Sequence, residues 1–221
     1  MPMLAFDAPG WDARPNAVRR LLQEVEMTTS IAVVAAPGTV APTVDALLGH
    51  PIAVWRGDGA FPPLPDETRA ALATWLGAGG LLFIDGADPQ AGGGFDASIR
   101  RELAAILPGR ALEAIPRSHV LWKTFYLVDT VPGRLRATEE LFGITRDDRL
   151  VVVYSNNDVL GTWSRDNFGT WEYEVFAGGD RQRDMTMRFG VNLAMYALCL
   201  DYKEDQAHVN YLLRRRRWQP E

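Results

Sequence analysis

The sequence predicts an α/β sandwich, in which a central and mainly parallel β-sheet is covered by helices on both faces. Short continuous apolar runs alternate with longer amphipathic segments along the first half of the chain, and strands separated by helices form parallel βαβ units. The composition agrees, because 47% hydrophobic and 23% charged residues over 221 positions are typical of a folded globular protein. A single domain over residues 1–221 is expected, with an elaborated C-terminal half.

The first half of the chain is predicted to form three buried strands and four helices. Each strand is a short apolar run that a glycine, proline or aspartate closes, and the three runs are residues 31–36, 52–55 and 81–84. The helices follow from apolar residues at helical spacing, over residues 15–27, 44–48, 65–77 and 96–107. Pro15 suits the first turn of its helix.

The second half is predicted to be less regular. Residues 150–154 form a further buried strand, and residues 140–144 precede it as an antiparallel partner. Residues 156–180 are rich in Gly, Asn, Asp and aromatic residues and are expected to form a long ordered loop. Residues 182–200 form the last long helix. A basic tail follows, and its arginine run 214–217 is either a solvated helix face or a docking surface for a partner.

Charge and cysteine content exclude several classes of protein. The formal net charge of −5 argues against nucleic-acid binding. The single cysteine, Cys199, excludes an intramolecular disulfide and a multi-cysteine zinc site, and it is expected to be a small buried residue. No apolar run approaches the roughly 20 residues of a membrane span, and residues 1–7 do not have the pattern of an export signal. No cofactor and no metal are predicted.

Polar side chains follow two of the predicted strands directly. Asp85 and Asp88 come after the strand 81–84, and the strand 150–154 is followed by Ser155, Asn156, Asn157 and Asp158. Ligands of open α/β sheets bind at the carboxyl ends of the parallel strands, so all six are candidate ligand-binding residues. The aspartates are able to bind a hard cation or hold a proton. The favoured alternative is that they bond to backbone amides in turns.

His119 is the best single acid–base candidate, because imidazole titrates near neutral pH. Together with Asp85 and Asp158 it would make a catalytic cluster; the alternative is that its ring fixes a loop through one hydrogen bond. Tyr126 is a further ligand-binding candidate in the aromatic loop region. The same region contains Trp122, Trp163 and Trp171. These tryptophans either stack on a sugar or a peptide, or cover the open end of the sheet.

Several segments, taken in order, resemble a bacterial family known as domain of unknown function 4159. They include Gly79-Gly-Leu-Leu-Phe-Ile-Asp85, Val153-Tyr-Ser-Asn-Asn-Asp158 and Gly190-Val-Asn-Leu-Ala-Met-Tyr-Ala-Leu198, and they are accompanied by residues 11–16, 28–31, 95–101, 118–119, 125–126 and 202–208. The resemblance implies a flavodoxin-like fold similar to that of class I glutamine amidotransferases. Their catalytic cysteine has no counterpart after any predicted strand here, so their chemistry is not carried over.

Members of this family often carry an export signal, so the resemblance implies a periplasmic or envelope-associated location and a protein partner there. We therefore expect a non-catalytic binding or assembly domain of the bacterial cell envelope. The first alternative is a hydrolase-like enzyme that uses the His119, Asp85 and Asp158 cluster, with or without a metal. The second alternative is a carbohydrate-binding module that uses the tryptophans.

Overall fold

A seven-stranded sheet lies at the centre of the part of the chain described by the computed structural model, which is residues 1–34, 38–90 and 92–216. In chain order the strands are β1 (Met3–Leu4), β2 (Thr39–Val40), β3 (Ile52–Gly57), β4 (Leu81–Gly86), β5 (Glu113–Ala114), β6 (Phe142–Arg146) and β7 (Arg149–Ser155). Their order across the sheet is β2-β1-β3-β4-β7-β6-β5.

The sheet is mixed, which corrects the expectation of a mainly parallel sheet. Strands β2, β1, β3, β4 and β7 pair in parallel, whereas β6 pairs antiparallel to both β7 and β5. A tight turn between Arg146 and Arg149 reverses the chain from β6 into β7, and its two aspartates, Asp147 and Asp148, have positive φ. Such short connections join antiparallel strands, while parallel strands need a longer crossover.

Helices pack on both faces of the sheet, as an α/β sandwich requires. They are α1 (Pro15–Thr28), α2 (Val44–Leu47), α3 (Asp66–Gly77), α4 (Gly94–Ile106), α5 (Val159–Trp163) and α6 (Gly179–Arg216), with a 3-10 helix at Val120–Lys123. Val54 and Phe83 belong to the core on the face of α1, α5 and α6. Their neighbours Trp55 and Ile84 belong to the core on the face of α3 and α4. This alternation is the period of a strand that is buried on both faces.

Most predicted elements are confirmed, but the strand at residues 31–36 is wrong for the part that the structure describes. Residues 31–34 form no strand and Val34 is exposed, while residues 35–36 lie outside the described residues. Instead, Met3–Leu4 pairs beside β3. This strand, β1, takes the place in the sheet that residues 31–36 were expected to fill. The expected loop 156–180 also contains a short helix, α5.

The last helix continues well beyond the predicted residue 200, and α6 runs to Arg216. None of the described helices is both long enough and apolar enough to cross a lipid bilayer. The side chains of Cys199 and of all four arginines at 214–217 lie outside the side chains that the structure describes. The interpretations of that cysteine and of the basic tail therefore stay predictions.

Candidate functional site

The carboxyl ends of β4 and β7 meet at one edge of the sheet, as predicted. Asp85 pairs in register with Ser155, and the chain then turns through residues 156–158 into α5. The buried carboxylate of Asp85 accepts hydrogen bonds from the backbone N–H groups of Val159 and Leu160, each at 2.8 Å. Asp85 therefore joins the end of β4 to the first turn of α5, where backbone N–H groups have no partner within the helix.

Burial gives Asp85 an unusual affinity for a proton. Removal from water raises its pKa, and the negative charge of Asp158 raises it further, to about 7. The amides of Val159 and Leu160 and the charge of Arg56 act in the opposite direction. Because a buried carboxylate is costly to ionise, Asp85 exchanges its proton near neutral pH.

Asp158 lies at the centre of three arginines. Its carboxylate is 3.0 Å from Nη2 of Arg14, 2.5 Å from Nε of Arg134 and 3.9 Å from Nη2 of Arg56. Burial raises the pKa of Asp158, but these arginines outweigh that effect and hold the pKa below its usual value. The carboxylate is therefore ionised, and it ties together three chain segments that are distant in sequence.

The backbone explains why an aspartate occupies this position. Asp158 has φ 50°, in the left-handed region that Asp and Asn tolerate better than most residues. It also caps α5, because its side chain accepts the N–H of Gly161 at 3.1 Å. A side chain at Gly161 would overlap this carboxylate.

The polar residues between β7 and Asp158 also bond within the protein. The hydroxyl of Ser155 accepts the N–H of Asn157 at 3.2 Å. The Asn157 side chain bonds Thr138 in both directions, accepting its N–H and donating to its carbonyl at 3.0 Å each. The Asn156 amide donates to Asp96 at 3.0 Å. Ser155 therefore has the turn role that the sequence favoured, whereas Asn156 and Asn157 bind segments that are distant in sequence.

Asp96 connects this turn to α4. Its carboxylate accepts from the Tyr154 hydroxyl at 2.8 Å and from Arg100 at 2.9 Å, in addition to Asn156. Burial raises the pKa of Asp96, but hydrogen bonds from Arg100, Asn156 and Tyr154 outweigh it and lower the pKa overall. Burial next to Asp96 raises the pKa of Tyr154, so its hydroxyl keeps its proton.

The structure does not bring His119 to this edge, which corrects the predicted catalytic cluster. Its Nδ1 accepts the N–H of Leu121 at 3.1 Å, and its ring lies 5.7 Å from that of Tyr196. The Tyr196 hydroxyl accepts the N–H of Leu150, at the start of β7. Asp158 follows the opposite end of that strand, which at about 3.3 Å per residue is some 15–20 Å away. A catalytic cluster requires contact through hydrogen bonds or one water.

The remaining candidates also have structural surroundings. Asp88 accepts the N–H of Gln90 at 3.1 Å in a turn. Tyr126 is half-buried, and its N–H donates to Asn192 at 2.7 Å. Among the described residues, no group of three or more His, Cys, Asp or Glu side chains is arranged to hold a metal ion.

Two of the three tryptophans expected to stack on a sugar are in the core. Trp122 and Trp163 are buried, and Nε1 of Trp163 donates to the carbonyl of Thr186 at 3.0 Å. Trp171 lies against two arginines. A sugar platform built from all three is therefore wrong, because two of the rings are inaccessible.

Sequence reasoning missed the three arginines around Asp158. Arg56 carried a signal, since it stands at the carboxyl end of the buried strand Ile52–Gly57, and a charge in such a strand requires a buried partner. Arg14 and Arg134 lie outside strands, in segments whose approach to Asp158 depends on the tertiary fold. No local pattern identifies them.

A family model described as "Domain of unknown function (DUF4159)" matches residues 2–198. This match covers most of the chain and confirms the predicted family. No curated protein shows a significant match.

Proposed function

This chain belongs to the DUF4159 family, and we propose that it acts as a non-catalytic binding or assembly domain of the bacterial cell envelope. One observation carries the proposal. At the sheet edge where α/β enzymes usually place reactive groups, the polar side chains after β4 and β7 all bond to the protein itself.

Catalysis at this edge would have to break those bonds. Asp158 would have to leave the guanidinium groups of Arg14 and Arg134, and Asp85 would have to leave two backbone amides at the start of α5. Leaving one charge of a buried ion pair without its partner costs about 3–5 kcal/mol. The edge is better suited to holding the loops in fixed positions than to exchanging substrates.

The loop-rich second half offers apolar side chains for contact with a partner. Phe168 is 93% exposed, Leu127 is 75% exposed and Phe176 is 72% exposed. Loops on a rigid scaffold often carry binding residues, and exposed aromatic residues are enriched at protein interfaces. These side chains therefore support a protein partner.

The envelope location and the finer fold relation are parts of the same proposal. The location rests on the resemblance to a family whose members often carry export signals. A flavodoxin-like, glutamine amidotransferase-like relation is supported by the strand order β2-β1-β3-β4-β7, since the flavodoxin-like order is 2-1-3-4-5. Cell fractionation of the native host tests the location, and recovery of the chain only in the cytoplasm would contradict it.

Site-specific photo-cross-linking tests the binding role. A photoreactive amino acid replaces Phe168, Leu127 or Phe176 in turn, and Leu48, which is 56% exposed in the first half of the chain, serves as the matched control. We expect a discrete protein adduct from at least one loop position and none from Leu48. No adduct from any loop position, with the chain monomeric at high concentration, would refute the proposal.

One observation favours the enzyme alternative, now without His119. A pKa of about 7 at Asp85 lies in the range of general acids and bases at neutral pH. A panel of ester, phosphoester and glycoside substrates tests this alternative. Hydrolysis that the wild type performs and Asp85→Asn abolishes, with the fold retained, would replace the binding proposal by an enzymatic one.

A further inference from the structure

A polar cleft lies away from the sheet edge, between the exposed face of α1 and residues 165–169. Its volume is about 640 Å³. The cationic and carboxamide side chains that line it are Arg19, Arg20, Arg165, Asn16, Gln23 and Asn167. An antiparallel bridge between Arg165 and Trp171 closes the loop that forms one wall, so this wall has a defined backbone.

Two of the arginines have buried N–H groups without partners. Nη2 of Arg20 bonds Glu24 at 2.8 Å, but its buried Nη1 has no hydrogen-bond partner among the described residues. The buried Nε of Arg165 has none either, and within the described part of the chain Arg165 makes no ion pair. Buried donors without acceptors are costly, and an anionic ligand would supply the acceptors.

Stacking holds the Arg165 guanidinium in place. Its Cζ lies 3.8 Å from the centre of the Trp171 ring, and Cζ of Arg183 lies 4.1 Å from the same centre. Arg183 is fixed in turn by the carbonyls of Thr162 and Tyr173, each at 2.8 Å. A guanidinium that is held before binding loses less conformational entropy when a ligand arrives.

Several positive charges therefore gather in a chain whose net charge is −5. Burial lowers the pKa of Arg165 and the neighbouring charge of Arg20 lowers it further, whereas the charge of Glu24 raises it. Glu24 thus offsets part of the repulsion between the two arginines, and a negative charge bound between them would offset more of it.

The other side chains indicate which anion fits. Glu26 and Asp166 also line the cleft, and they oppose a phosphate group, with about two negative charges, more strongly than a carboxylate, with one. Carboxamides such as Gln23 both donate and accept hydrogen bonds, which suits the backbone of a bound peptide. Arginines bind carboxylates in bidentate geometry. Met27 adds an exposed apolar contact at the end of α1.

We infer that the cleft between α1 and residues 165–169 binds an acidic segment of a protein partner, with its carboxylates on Arg19, Arg20 and Arg165. The inference rests on the proposed binding function and identifies the chemistry of the partner. The contact would then lie beside α1, away from the ends of the strands and away from the site residues that the sequence predicted.

Fluorescence anisotropy with a labelled decapeptide of alternating Glu and Ala tests the inference on the full chain. We expect saturable binding that weakens with added salt, and no binding of the counterpart that has Gln in place of Glu. Arg165→Gln and Arg19→Gln should each weaken binding by about tenfold, as the loss of a charge-assisted hydrogen bond implies. Arg110→Gln changes the same charge at the β5–β6 edge and should leave the affinity unchanged.

Three results would overturn the inference: equal binding of the Glu and Gln peptides, wild-type affinity in both cleft variants, or displacement of the peptide by tripolyphosphate at lower concentration than by free Glu peptide. Arg19 is exposed on α1, so Arg19→Gln reports on binding even if Arg165→Gln fails to fold. If the peptide fails while a photo-cross-linked adduct forms, the acidic-segment inference is wrong and the binding function stands.

Discussion

Replacing Asp158 by Asn should be strongly destabilising, although it removes only one charge. The Asn side chain keeps an oxygen for the N–H of Gly161 and tolerates the left-handed backbone of this position. The variant therefore leaves the cap and the turn intact. What it removes is the negative charge that faces Arg14, Arg56 and Arg134.

The size of the effect follows from the burial of the partners. Arg14 and Arg56 are both buried, and removing one partner of a buried ion pair costs about 3–5 kcal/mol because the other charge stays behind. Asp85 offsets part of this loss. Without the charge of Asp158, which helps to raise its pKa, Asp85 ionises more readily and attracts Arg56. We therefore expect a loss of about 3 kcal/mol at pH 7.5, at the lower end of that range.

Urea unfolding followed by tryptophan fluorescence measures the loss. Asp129→Asn is the matched control, because Asp129 forms an exposed ion pair with Arg181 at 3.1 Å, and such pairs contribute less than about 1 kcal/mol. The reasoning would be refuted if Asp158→Asn cost no more than this control. That result would mean that the arginines reach water or other acceptors once the carboxylate is gone.

Three further substitutions test separate parts of the fold. Folding raises the pKa of Asp85 from 3.8 to about 7, so the folded chain holds this proton more tightly than the unfolded chain. The free energy of unfolding should therefore fall as the pH rises from 3.8 to about 7, by up to about 1.4 kcal/mol per pH unit. Urea unfolding at several pH values should show that Asp85→Asn removes this pH dependence. Gly57→Ala adds a methyl group that overlaps the ring of Phe95, and it should lower the free energy of unfolding, measured with urea, by about 1–3 kcal/mol. Gly49→Ala is the control, because its methyl group meets nothing within 4 Å and should leave the stability nearly unchanged. Tyr154→Phe removes a buried hydroxyl from its carboxylate acceptor and should lower the free energy of unfolding by about 1–3 kcal/mol.

Local patterns identified the elements whose apolar residues are buried in a regular period. The strands at residues 52–57, 81–86 and 149–155 and the helix that begins at Pro15 follow from such patterns. The failures involve competition between segments for one position. Residues 31–34 are as apolar as a strand, but β1 already pairs beside β3, and two-residue strands such as β1 and β2 are too short to show a period.

The position of the candidate site could be predicted from the sequence, but only some of its residues could. The rule that strand ends share a sheet edge correctly brought Asp85 and Asp158 together. It could not place His119, because the 3-10 helix that follows this residue packs near the opposite end of β7. Nor could it find Arg14 and Arg134, whose approach to Asp158 depends on loops without local periodicity.

The arginine cluster at the sheet edge also positions the cleft. Arg14 immediately precedes α1, which forms one wall, and Asp158 begins α5, which ends at Trp163 just before the other wall. Glu172 joins the two walls, since its carboxylate accepts from Asn16 at 3.0 Å and from Ser164 at 2.6 Å. A buried ion cluster adds little net stability compared with an apolar core, but it fixes orientation. Here it holds two segments that are distant in sequence in fixed positions on either side of the cleft.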